Sequence, residues 1–485
     1  MRIGVIGCGA AGTAVLDALV RTAAATRRRV EVTVFEPGGA FGPGRAYDLA
    51  NGTAPLNLAP AKMSLRPGQP DHFRSWLDIA QDADAYLPRA TFGRYLADQV
   101  SSALAIAVSY GSRVELIDEQ VVELAVREGE FHAWSAVHRC YRFDAVFLCV
   151  GSAEPDDVYG LTGTPGFIPD PYPLADLPDQ VEPDAPVAVL GSGLSAVDAV
   201  LRLAERGHQG PISLVSRSGY LPAVRSSTAL SGALRATRHG DLARLAAENG
   251  HLTVRDLWRV IGREFRAHGI PARTIGREFQ RDEPPASRLR RQRREAMVGN
   301  RAHALLLDVA NVLVKDAWRL FDEAAREEFI RDWHSLVGGL CAPMPITSAK
   351  ALVKLLDAGV LRLHGGIQKV TPTDAGFAVD TETETFTVDT VINTIRPYHS
   401  AIPRRATELV ATMFGSGLAT PHQHGGIGIE PDTLRLTNQA GSPVPGLYAL
   451  GELTIGELYI ETTVIGAITR RAAQAVAHVF AEVRP

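Results

Sequence analysis

The fold is decided by residues 2–12, which read Arg-Ile-Gly-Val-Ile-Gly-Cys-Gly-Ala-Ala-Gly. The apolar run up to Ile6 is short and bounded by glycines, which is typical of a buried parallel strand. Residues 10–25 are rich in alanine and leucine and favour a helix, whereas the β-branched residues 30–35 favour a second strand. The order strand, helix, strand predicts a βαβ unit of the Rossmann type.

The glycines of this stretch, Gly7, Gly9 and Gly12, have the G-x-G-x-x-G spacing directly after a strand. In such a loop the glycines permit a tight turn, close approach of a pyrophosphate and close packing of the helix on the strand. Glu36 ends the second strand, where a carboxylate accepts hydrogen bonds from ribose hydroxyls. A structural glycine turn and a surface carboxylate are the alternatives, but the context favours a dinucleotide site.

A second glycine loop reads Gly191-Ser192-Gly193-Leu194-Ser195-Ala196, between the strand-like residues 187–190 and 212–215. Its second strand ends at Ser216-Arg217 instead of at an acid. Because an arginine pairs with a 2′-phosphate that an acid would repel, this end favours NADPH over NADH. The alternative is that Arg217 is an exposed loop residue. Two such units in one chain indicate a flavin reduced by a pyridine nucleotide.

The predicted fold class is α/β, with two Rossmann-like dinucleotide-binding domains and a mostly helical insertion. We predict the first part of an FAD-binding domain at residues 1–155 and its closing part at 396–485. The NADPH-binding domain is expected at 180–225 and 340–395, interrupted by a helical insertion at 226–339 that would cover the substrate.

The composition does not indicate a particular class of binding partner. With 46% hydrophobic and 21% charged residues the chain is an ordinary globular protein, and its net charge of −4 argues against nucleic acid and anionic membranes. No apolar run reaches the roughly 18–20 residues of a membrane span. The 4 cysteines form no CxxC pair, so we expect a reducing, cytoplasmic location without a metal site. The oligomeric state stays open, with a homo-oligomer among the alternatives.

Further motifs support a resemblance to a known group of proteins. They are Gly42-Pro43-Gly44-Arg45-Ala46-Tyr47, the segment from Leu56 to Ser64, the segment from Pro88 to Leu96, the pair Gly451-Glu452, and Glu461-Thr462-Thr463. With them the chain resembles the two-dinucleotide-binding flavoprotein superfamily. More narrowly it is similar to an FAD/NAD(P)-binding oxidoreductase family that includes bacterial N-hydroxylating monooxygenases. The resemblance spans most of residues 1–215 and 390–482.

The resemblance implies roles for individual residues. The segment from Asn57 to Ser64 would lie by the isoalloxazine ring, and Gly451-Glu452 would hold the ribityl and pyrophosphate part of FAD. The last helix, opened by Thr462 and Thr463, would point at the pyrimidine edge of the ring, and Val122 would contact the adenine. The predicted cofactor-binding residues are Gly7, Gly9, Ala11, Gly12, Glu36, Pro37, Ala46, Tyr47, Asn57, Met63, Ser64, Val122, Gly151, Gly191, Gly193, Leu194, Ser195, Ser216, Arg217, Gly451, Glu452, Thr462 and Thr463.

The chain departs from the pattern at two places. Thr394-Ile395-Arg396-Pro397 stands where relatives carry a Thr-Gly-type turn, which would bring Arg396 near the active site. Glu452 stands where aspartate is commoner, and either carboxylate can accept the ribityl hydroxyls.

The resemblance implies an FAD- and NADPH-dependent monooxygenase that oxidises the amine nitrogen of a small amino acid with O2. Oxygen would be transferred through a hydroperoxide at the flavin C4a, and the product could reach the nitroso or nitro level. Aspartate is the first substrate to test. A flavin dehydrogenase or reductase without oxygen insertion and a cofactor-binding redox sensor or accessory protein are the alternatives.

Oxygen transfer of this kind needs no catalytic triad or metal. The predicted catalytic residues are Asn57, Lys62, Ser64 and Arg396, whose alternative role is loop hydrogen bonding or solvent exposure. Further polar candidates are His399, His422 and His424, the last two in a tract that we expect at the surface or against substrate. The arginine-rich run 288–294 is predicted to be a solvated helix face, or alternatively to attract a carboxylate-bearing substrate.

Overall fold

The computed structural model describes residues 1–77, 86–226, 234–238, 240–271, 273–279, 282–396, 398–399 and 401–482. The chain divides into two compact units. Unit 1 comprises Met1–Glu154 and Pro397–Pro485, and unit 2 comprises Pro155–Arg396. Each is therefore described by itself. Pro397 of the predicted turn and residues 78–85 lie outside the described residues.

The strands of the described residues are β1 (Arg2–Ile6), β2 (Glu31–Phe35), β3 (Arg113–Ile117), β4 (Val121–Arg127), β5 (Glu130–Ser135), β6 (Cys140–Phe143), β7 (Ala145–Leu148), β8 (Phe167–Ile168), β9 (Val187–Leu190), β10 (Ile212–Val215), β11 (Leu361–His364), β12 (Ile367–Thr373), β13 (Gly376–Thr381), β14 (Thr385–Val388), β15 (Thr390–Asn393), β16 (Arg435–Thr437) and β17 (Pro443–Ala449). The helices are α1 (Ala10–Thr26), α2 (His72–Leu77), α3 (Arg89–Ser109), α4 (Leu194–Glu205), α5 (Asp241–Asn249), α6 (Val254–Ala267), α7 (Arg273–Gly276), α8 (Pro285–Val298), α9 (Arg301–Leu320), α10 (Glu323–Asp332), α11 (His334–Cys341), α12 (Ile346–Asp357), α13 (Thr407–Gly415), α14 (Ile455–Leu458) and α15 (Ile465–Glu482).

Unit 1 is built on a six-stranded sheet in the order β16-β17-β7-β1-β2-β3. The strands from β17 to β3 are parallel, and β16 runs antiparallel at the edge. The apolar residues of β1 and β7 are buried on both faces, as the glycine-bounded runs predicted. Helices α15 and α3 pack against α1. The C-terminal β17 and α15 thus complete a sheet that the N-terminus begins.

Unit 2 contains a five-stranded parallel sheet in the order β11-β10-β9-β15-β8. The short edge strand β8 comes from the Pro- and Asp-rich stretch before residue 187, so this stretch contributes to the second sheet. Helix α4 buries one face, including Val197, Val200 and Leu203. The predicted α/β class with two Rossmann-like sheets is confirmed.

A three-stranded antiparallel sheet accompanies each parallel sheet, β4-β5-β6 in unit 1 and β12-β13-β14 in unit 2. Alternating buried and exposed residues, as in β5, give these strands one apolar face. Glu128 and Gly129, both with positive φ, form the two-residue turn that sets the register between β4 and β5.

The helices of the insertion pack around α9, in which Leu306, Val309 and Leu313 are buried. Helix α6 begins with a capping box between Thr253 and Asp256 and lies against α9. The mostly helical character predicted for residues 226–339 agrees with these elements.

The prediction of a solvated arginine face is wrong for Arg288 and Arg291 of α8, which are buried. Arg291 Nη1 lies 2.7 Å from Glu278 Oε1 and Arg291 Nη2 lies 2.8 Å from Glu283 Oε2. Arg288 Nη2 donates to the Glu278 carbonyl over 2.7 Å. The i, i+3 spacing places both arginines on the inner helix face. These guanidinium groups are therefore engaged by the protein's own carboxylates, which weakens the alternative of substrate attraction.

Within the described residues, no helix combines the length and apolar character required to cross a membrane.

Candidate functional site

The first glycine loop connects β1 to α1 at the carboxyl edge of the first parallel sheet. Gly7 has φ +94°, and a Cβ there would overlap the carbonyl oxygen of Cys149 on the neighbouring segment. A Cβ at Gly12 would overlap the carbonyl oxygen of Gly7. Gly9 caps α1 without a side-chain hydrogen bond, and the first turn carries no acid. The helix N-terminus therefore has N–H groups to offer to an anion.

The loop containing Ala46 and Tyr47 lies against this first glycine loop. Gly42 N donates to Cys8 O over 2.8 Å, and a Cβ at Gly44 would come within 2.8 Å of Gly9 Cα. Tyr47 packs edge-on against Phe92, and burial raises the pKa of Tyr47 to about 12. The first glycine loop and the predicted motif of residues 42–47 are therefore in contact.

Glu36 is buried, with 3% of its surface exposed, at the end of β2. Its Oε2 accepts from Cys8 N at 2.5 Å and its Oε1 lies 2.7 Å from Arg405 Nη1. A cleft of about 310 Å³, part of it open to solvent, lies beside it and is lined by Gly7, Pro37, Val121 and Arg405 among others. Val121 lines this cleft, whereas the predicted adenine contact Val122 is not among its lining residues. Sequence reasoning missed Arg405, because nothing in its local sequence marks it.

The segment from Asn57 to Ser64 is held by turn hydrogen bonds. Ser64 Oγ donates to the Gln69 carbonyl at 2.7 Å and accepts from Arg66 N at 3.1 Å, so it closes a turn. Lys62 is exposed, Met63 is buried and Asn57 is half-buried. Roles of Asn57, Lys62 and Ser64 at a flavin stay predictions, and the Ser64 hydroxyl has the structural contacts just described.

The C-terminal return reaches the first glycine loop. A Cβ at Gly451, which has φ +77°, would lie 3.9 Å from Ala11 Cβ, and the neighbouring Glu452 is buried. The prediction that Thr462 and Thr463 open the last helix is wrong. Thr462 Oγ1 instead donates to Tyr459 O at 3.0 Å, which closes a 3₁₀ turn, and α15 begins at Ile465.

The histidine tract of residues 421–425 is partly at the surface, since Pro421 and Gln423 are exposed. His424 is buried, and His422 Nε2 lies 3.3 Å from a Glu457 carboxylate oxygen. His422 Nδ1 accepts from His424 N at 3.1 Å, so the ring is oriented. The His399 backbone packs against Gly425. Within the described ranges, no group of three or more ligating side chains suits a metal ion. The tract therefore packs against α14.

The second glycine loop lies in unit 2 at the carboxyl edge of its sheet, between β9 and α4. Gly191 has φ +107°, and a Cβ there would lie 2.5 Å from Thr394 Oγ1. Gly193 caps α4 and has open space where a Cβ would stand. Tyr172 OH reaches Ser195 Oγ at 3.5 Å in the first turn of α4.

Arg217 and Arg396 come to the same edge, because they follow β10 and β15, the parallel neighbours of β9. The Arg217 carbonyl accepts from Gly366 N at 2.9 Å, which holds the loop after β10. Burial, together with the positive charges of Arg217 and Arg396, lowers the pKa of His334 to about 4. Positive charge therefore concentrates around the N-terminus of α11, a grouping that the sequence did not reveal.

Three of the cysteine thiols have a raised pKa. Burial and the neighbouring Glu36 carboxylate raise the pKa of Cys8 to about 12, and burial raises the pKa of Cys149 as well. Burial also raises the pKa of Cys341 to about 12, and Cys140 is exposed. All four are free.

Residues 4–153 match a protein family described as FAD-NAD(P)-binding, which covers less than a third of the chain. No curated protein is significantly similar to the chain in sequence. Among solved structures, an ornithine hydroxylase from Pseudomonas aeruginosa has a TM-score of 0.57 at 13% identity, covering 100% of this chain and 99% of its own. An ornithine N-hydroxylase from Kutzneria sp. 744, with reduced FAD, NADP+ and L-ornithine, has a TM-score of 0.59 at 12% identity, covering 99% and 98%. A flavin monooxygenase from Stenotrophomonas maltophilia has a TM-score of 0.52 at 16% identity, covering 99% and 98%.

These similarities extend over nearly the whole chain and confirm the predicted two-dinucleotide-binding flavoprotein fold. The family description confirms the predicted cofactor class, FAD with NAD(P), for the segment that carries the first glycine loop.

Proposed function

We propose that the chain is an FAD- and NADPH-dependent monooxygenase that oxidises the amine nitrogen of a small amino acid. The observation that carries the proposal is the pair of dinucleotide-type sites, one in each unit. Each has a glycine loop and a helix N-terminus at the carboxyl edge of a parallel sheet. The full-length fold similarity to an ornithine hydroxylase and to an ornithine N-hydroxylase supports the choice of nitrogen as the oxidised atom.

The residues of unit 1 fit FAD. Because residues 7 and 12 are glycines, no side chain at these positions covers the loop backbone. The first turn of α1 contains no acidic residue that would compete with a phosphate for its N-terminus. The buried carboxylate of Glu36 stands beside a cleft, where ribose hydroxyls would need an acceptor. Gly451 and Glu452 approach the same loop from the far end of the chain. Bound FAD would supply the oxygen activation and bound NADPH the electrons.

The residues of unit 2 fit the phosphates of NADPH. The open space at Gly193 would admit a pyrophosphate to the N-terminus of α4. Arg217 and Arg396 supply positive charge at this edge, which suits a 2′-phosphate. We therefore propose NADPH rather than NADH. Asn57 and Lys62 are the polar side chains proposed to lie at the flavin.

The substrate is proposed to be an amino acid, and aspartate and ornithine are the two to compare. Aspartate was favoured by the arginine run, but Arg288 and Arg291 are paired with internal carboxylates. Ornithine is the ligand of the structurally similar Kutzneria enzyme. A first oxidation to the hydroxylamine is the minimal reaction, and further steps to the nitroso or nitro level are part of the proposal to be tested.

The test is a reaction of the purified flavoprotein with NADPH and ¹⁸O₂, in the presence of aspartate, of ornithine, or of neither. We expect one of the amino acids to accelerate NADPH consumption and to appear as a product with a heavy oxygen on its nitrogen. Asn57→Ala should lower the yield of this product per NADPH. NADPH consumption that yields hydrogen peroxide alone with every amino acid tested would contradict the proposal.

The second candidate is a reductase without oxygen insertion, which would pass electrons to a quinone-like acceptor. A dithiol-dependent reductase is disfavoured, because burial raises the pKa of Cys8, Cys149 and Cys341 and their thiols are poor nucleophiles. A quinone that is reduced quickly while no oxygenated amino acid forms would favour this candidate. If NADPH does not bleach the flavin at all, the redox sensor is favoured instead.

A further inference from the structure

Arg405 stands out as a charged residue that no motif assigns, yet it lies against the centre of the first site. It belongs to the 3₁₀ turn Arg404–Ala406, directly before α13. Its Nη1 lies 2.7 Å from Glu36 Oε1, and its Nε and Nη2 donate to the Val150 carbonyl at 3.3 Å and 3.0 Å. A single guanidinium thus joins the ends of β2 and β7.

The backbone around Arg405 is also held in place. Gln120 Nε2 donates to the Arg405 carbonyl at 2.7 Å, and Arg404 N donates to Glu154 Oε2 at 2.9 Å. Gln120 and Arg405 both line the cleft beside Glu36. The position of the guanidinium is therefore determined from both sides, which argues against a chance contact of a flexible surface side chain.

These contacts leave each Glu36 carboxylate oxygen able to accept one more hydrogen bond, as the binding of a ribose requires. A carboxylate has about four acceptor positions. Cys8 N takes one on Oε2 and Arg405 takes one on Oε1, so each oxygen retains an acceptor position. Two vicinal hydroxyls of a ribose would match these two positions. Because a buried carboxylate without a cationic partner is strongly unfavourable, Arg405 also offsets the charge of Glu36.

We propose that Arg405 is the positioning residue of the adenosine subsite, where it orients Glu36 toward a ribose and borders the cleft that takes the adenosine part of FAD. The inference rests on the proposed function only in requiring FAD as the bound flavin. It assigns to the C-terminal segment a role in recognising an adenine nucleotide, separate from the oxygen chemistry. The Arg405 side chain is 35% exposed, so a nucleotide entering the cleft would reach it.

The test measures binding of FAD, ADP and FMN to the full chain stripped of flavin, by flavin fluorescence and by competition with ADP. Arg405→Ala should weaken FAD and ADP by a similar factor of about tenfold or more, since one charged hydrogen-bonding partner is lost. FMN lacks adenosine, so its affinity should not change. Arg405→Lys should retain part of the affinity, because an ammonium can pair with Glu36 but cannot reach Val150 as a fork.

Arg404→Ala is the matched control, since the neighbouring Arg404 side chain is exposed and its hydrogen bonds to Glu154 and Thr407 are made by its backbone. It should leave all three affinities unchanged. The inference is overturned if Arg405→Ala keeps the FAD and ADP affinities, or if it weakens FMN to the same extent. If Arg405→Ala does not fold, Arg405→Lys decides the question by the same FAD-to-FMN comparison. Because no amino acid substrate enters the assay, its result is independent of whether the chain oxidises nitrogen.

Discussion

At the scale of single residues, the glycines of the two loops differ in why they are glycine. Gly7 combines φ +94° with a backbone neighbour that leaves no room for a Cβ. Gly193 has φ −76° and open space around it. The first is required by the fold, whereas the second is free to serve a ligand. These roles follow the position of each glycine in the motif. Gly191, a first glycine, has φ +107° as Gly7 does, and Gly9, a second glycine, has φ −76°.

Gly7→Ala should therefore destabilise unit 1. The substitution forces a left-handed backbone on a residue with a Cβ and drives that Cβ against Cys149, which together cost roughly 3 kcal/mol or more. Chemical unfolding of the purified variants measures the loss. Gly38→Ala is the control for the backbone cost alone, because Gly38 has φ +84° with nothing near its Cβ position. Equal losses in the two variants would show that the overlap with Cys149 is unimportant.

Arg217 allows a test of nucleotide preference at the same scale. Arg217→Ala should weaken NADP+ by about tenfold or more and leave NAD+ unchanged, because only the 2′-phosphate loses a charged partner. Calorimetric titration with both nucleotides measures this ratio. Arg206→Ala is the control, since Arg206 is an exposed residue at the opposite end of α4 from the glycine loop. An unchanged preference in Arg217→Ala would remove the physical basis for choosing NADPH.

The residue scale also marks the limit of the sequence. Glycine spacing and terminal polar residues could be predicted because the turn chemistry is local. Arg405, which pairs with Glu36 across 369 residues of chain, could not, because a buried ion pair depends on which strand ends meet. The same limit explains the error at Arg288 and Arg291, whose partner Glu278 precedes the helix and is identified only by packing.

At the scale of elements, the helical insertion is stabilised by ion pairs in addition to apolar contacts. The carboxylate of Glu278, in the 3₁₀ turn Arg277–Phe279, accepts hydrogen bonds from Arg288, Arg291 and Gln292 of α8. Burial alone would raise the pKa of Glu278, but the hydrogen bond from Arg291 and the charges of Arg291 and Arg288 outweigh it and lower that pKa. The turn is thereby tied to the helix.

Glu278→Gln should lower the free energy of unfolding of unit 2 by roughly 3–5 kcal/mol at neutral pH, because it leaves two buried guanidinium groups short of a partner. Arg290→Ala is the control on the same helix. Arg290 and its partner Asp357 are 36% and 60% exposed, and an exposed pair contributes about 0–1 kcal/mol. Denaturant unfolding followed by circular dichroism compares the variants, and equal losses would contradict the role of the buried cluster.

Because the Glu278 carboxylate titrates, the stability difference between the native chain and Glu278→Gln should depend on pH. Because the folded-state pKa of Glu278 is lowered, its contribution is complete above the unfolded pKa of about 4.3 and is lost as the pH falls through the lower folded value. The stability advantage of the native chain over Glu278→Gln should therefore be constant from neutral pH to about pH 5 and shrink at more acidic pH. An advantage that grows on acidification would have the wrong sign.

At the scale of the whole molecule, the sequence predicted that one sheet would be completed from the far end of the chain. This was possible because the Gly451-Glu452 pair and the last helix follow a strand, in the same order of strand, glycine and helix as at the start of the chain. The antiparallel sheets β4-β5-β6 and β12-β13-β14 were not predicted as sheets, although the two-residue turn Glu128-Gly129 fixes the register between β4 and β5. Which histidines are buried likewise followed only from the assembled fold.

The division into two units, each with its own sheet and glycine loop, predicts that the two cofactors can be weakened separately. Gly9→Ala and Gly193→Ala place a methyl group where a pyrophosphate must approach. Both positions have φ −76°, and the nearest atom to the new Cβ is 3.5 Å away at Gly9 and beyond 4 Å at Gly193, so stability should change by at most about 1 kcal/mol. Gly9→Ala should weaken FAD by about tenfold or more with NADP+ unchanged, and Gly193→Ala should do the reverse.

Flavin fluorescence and calorimetry on the same preparations measure both affinities, and thermal unfolding verifies that the fold is retained. Each variant should lose amino acid oxidation, and excess of the affected cofactor alone should restore it. The reason is that the reaction needs both dinucleotides although each is bound by a separate set of residues. If either substitution weakened both cofactors equally while the fold was retained, binding at the two loops would be coupled. The assignment of one dinucleotide to each unit would then fail.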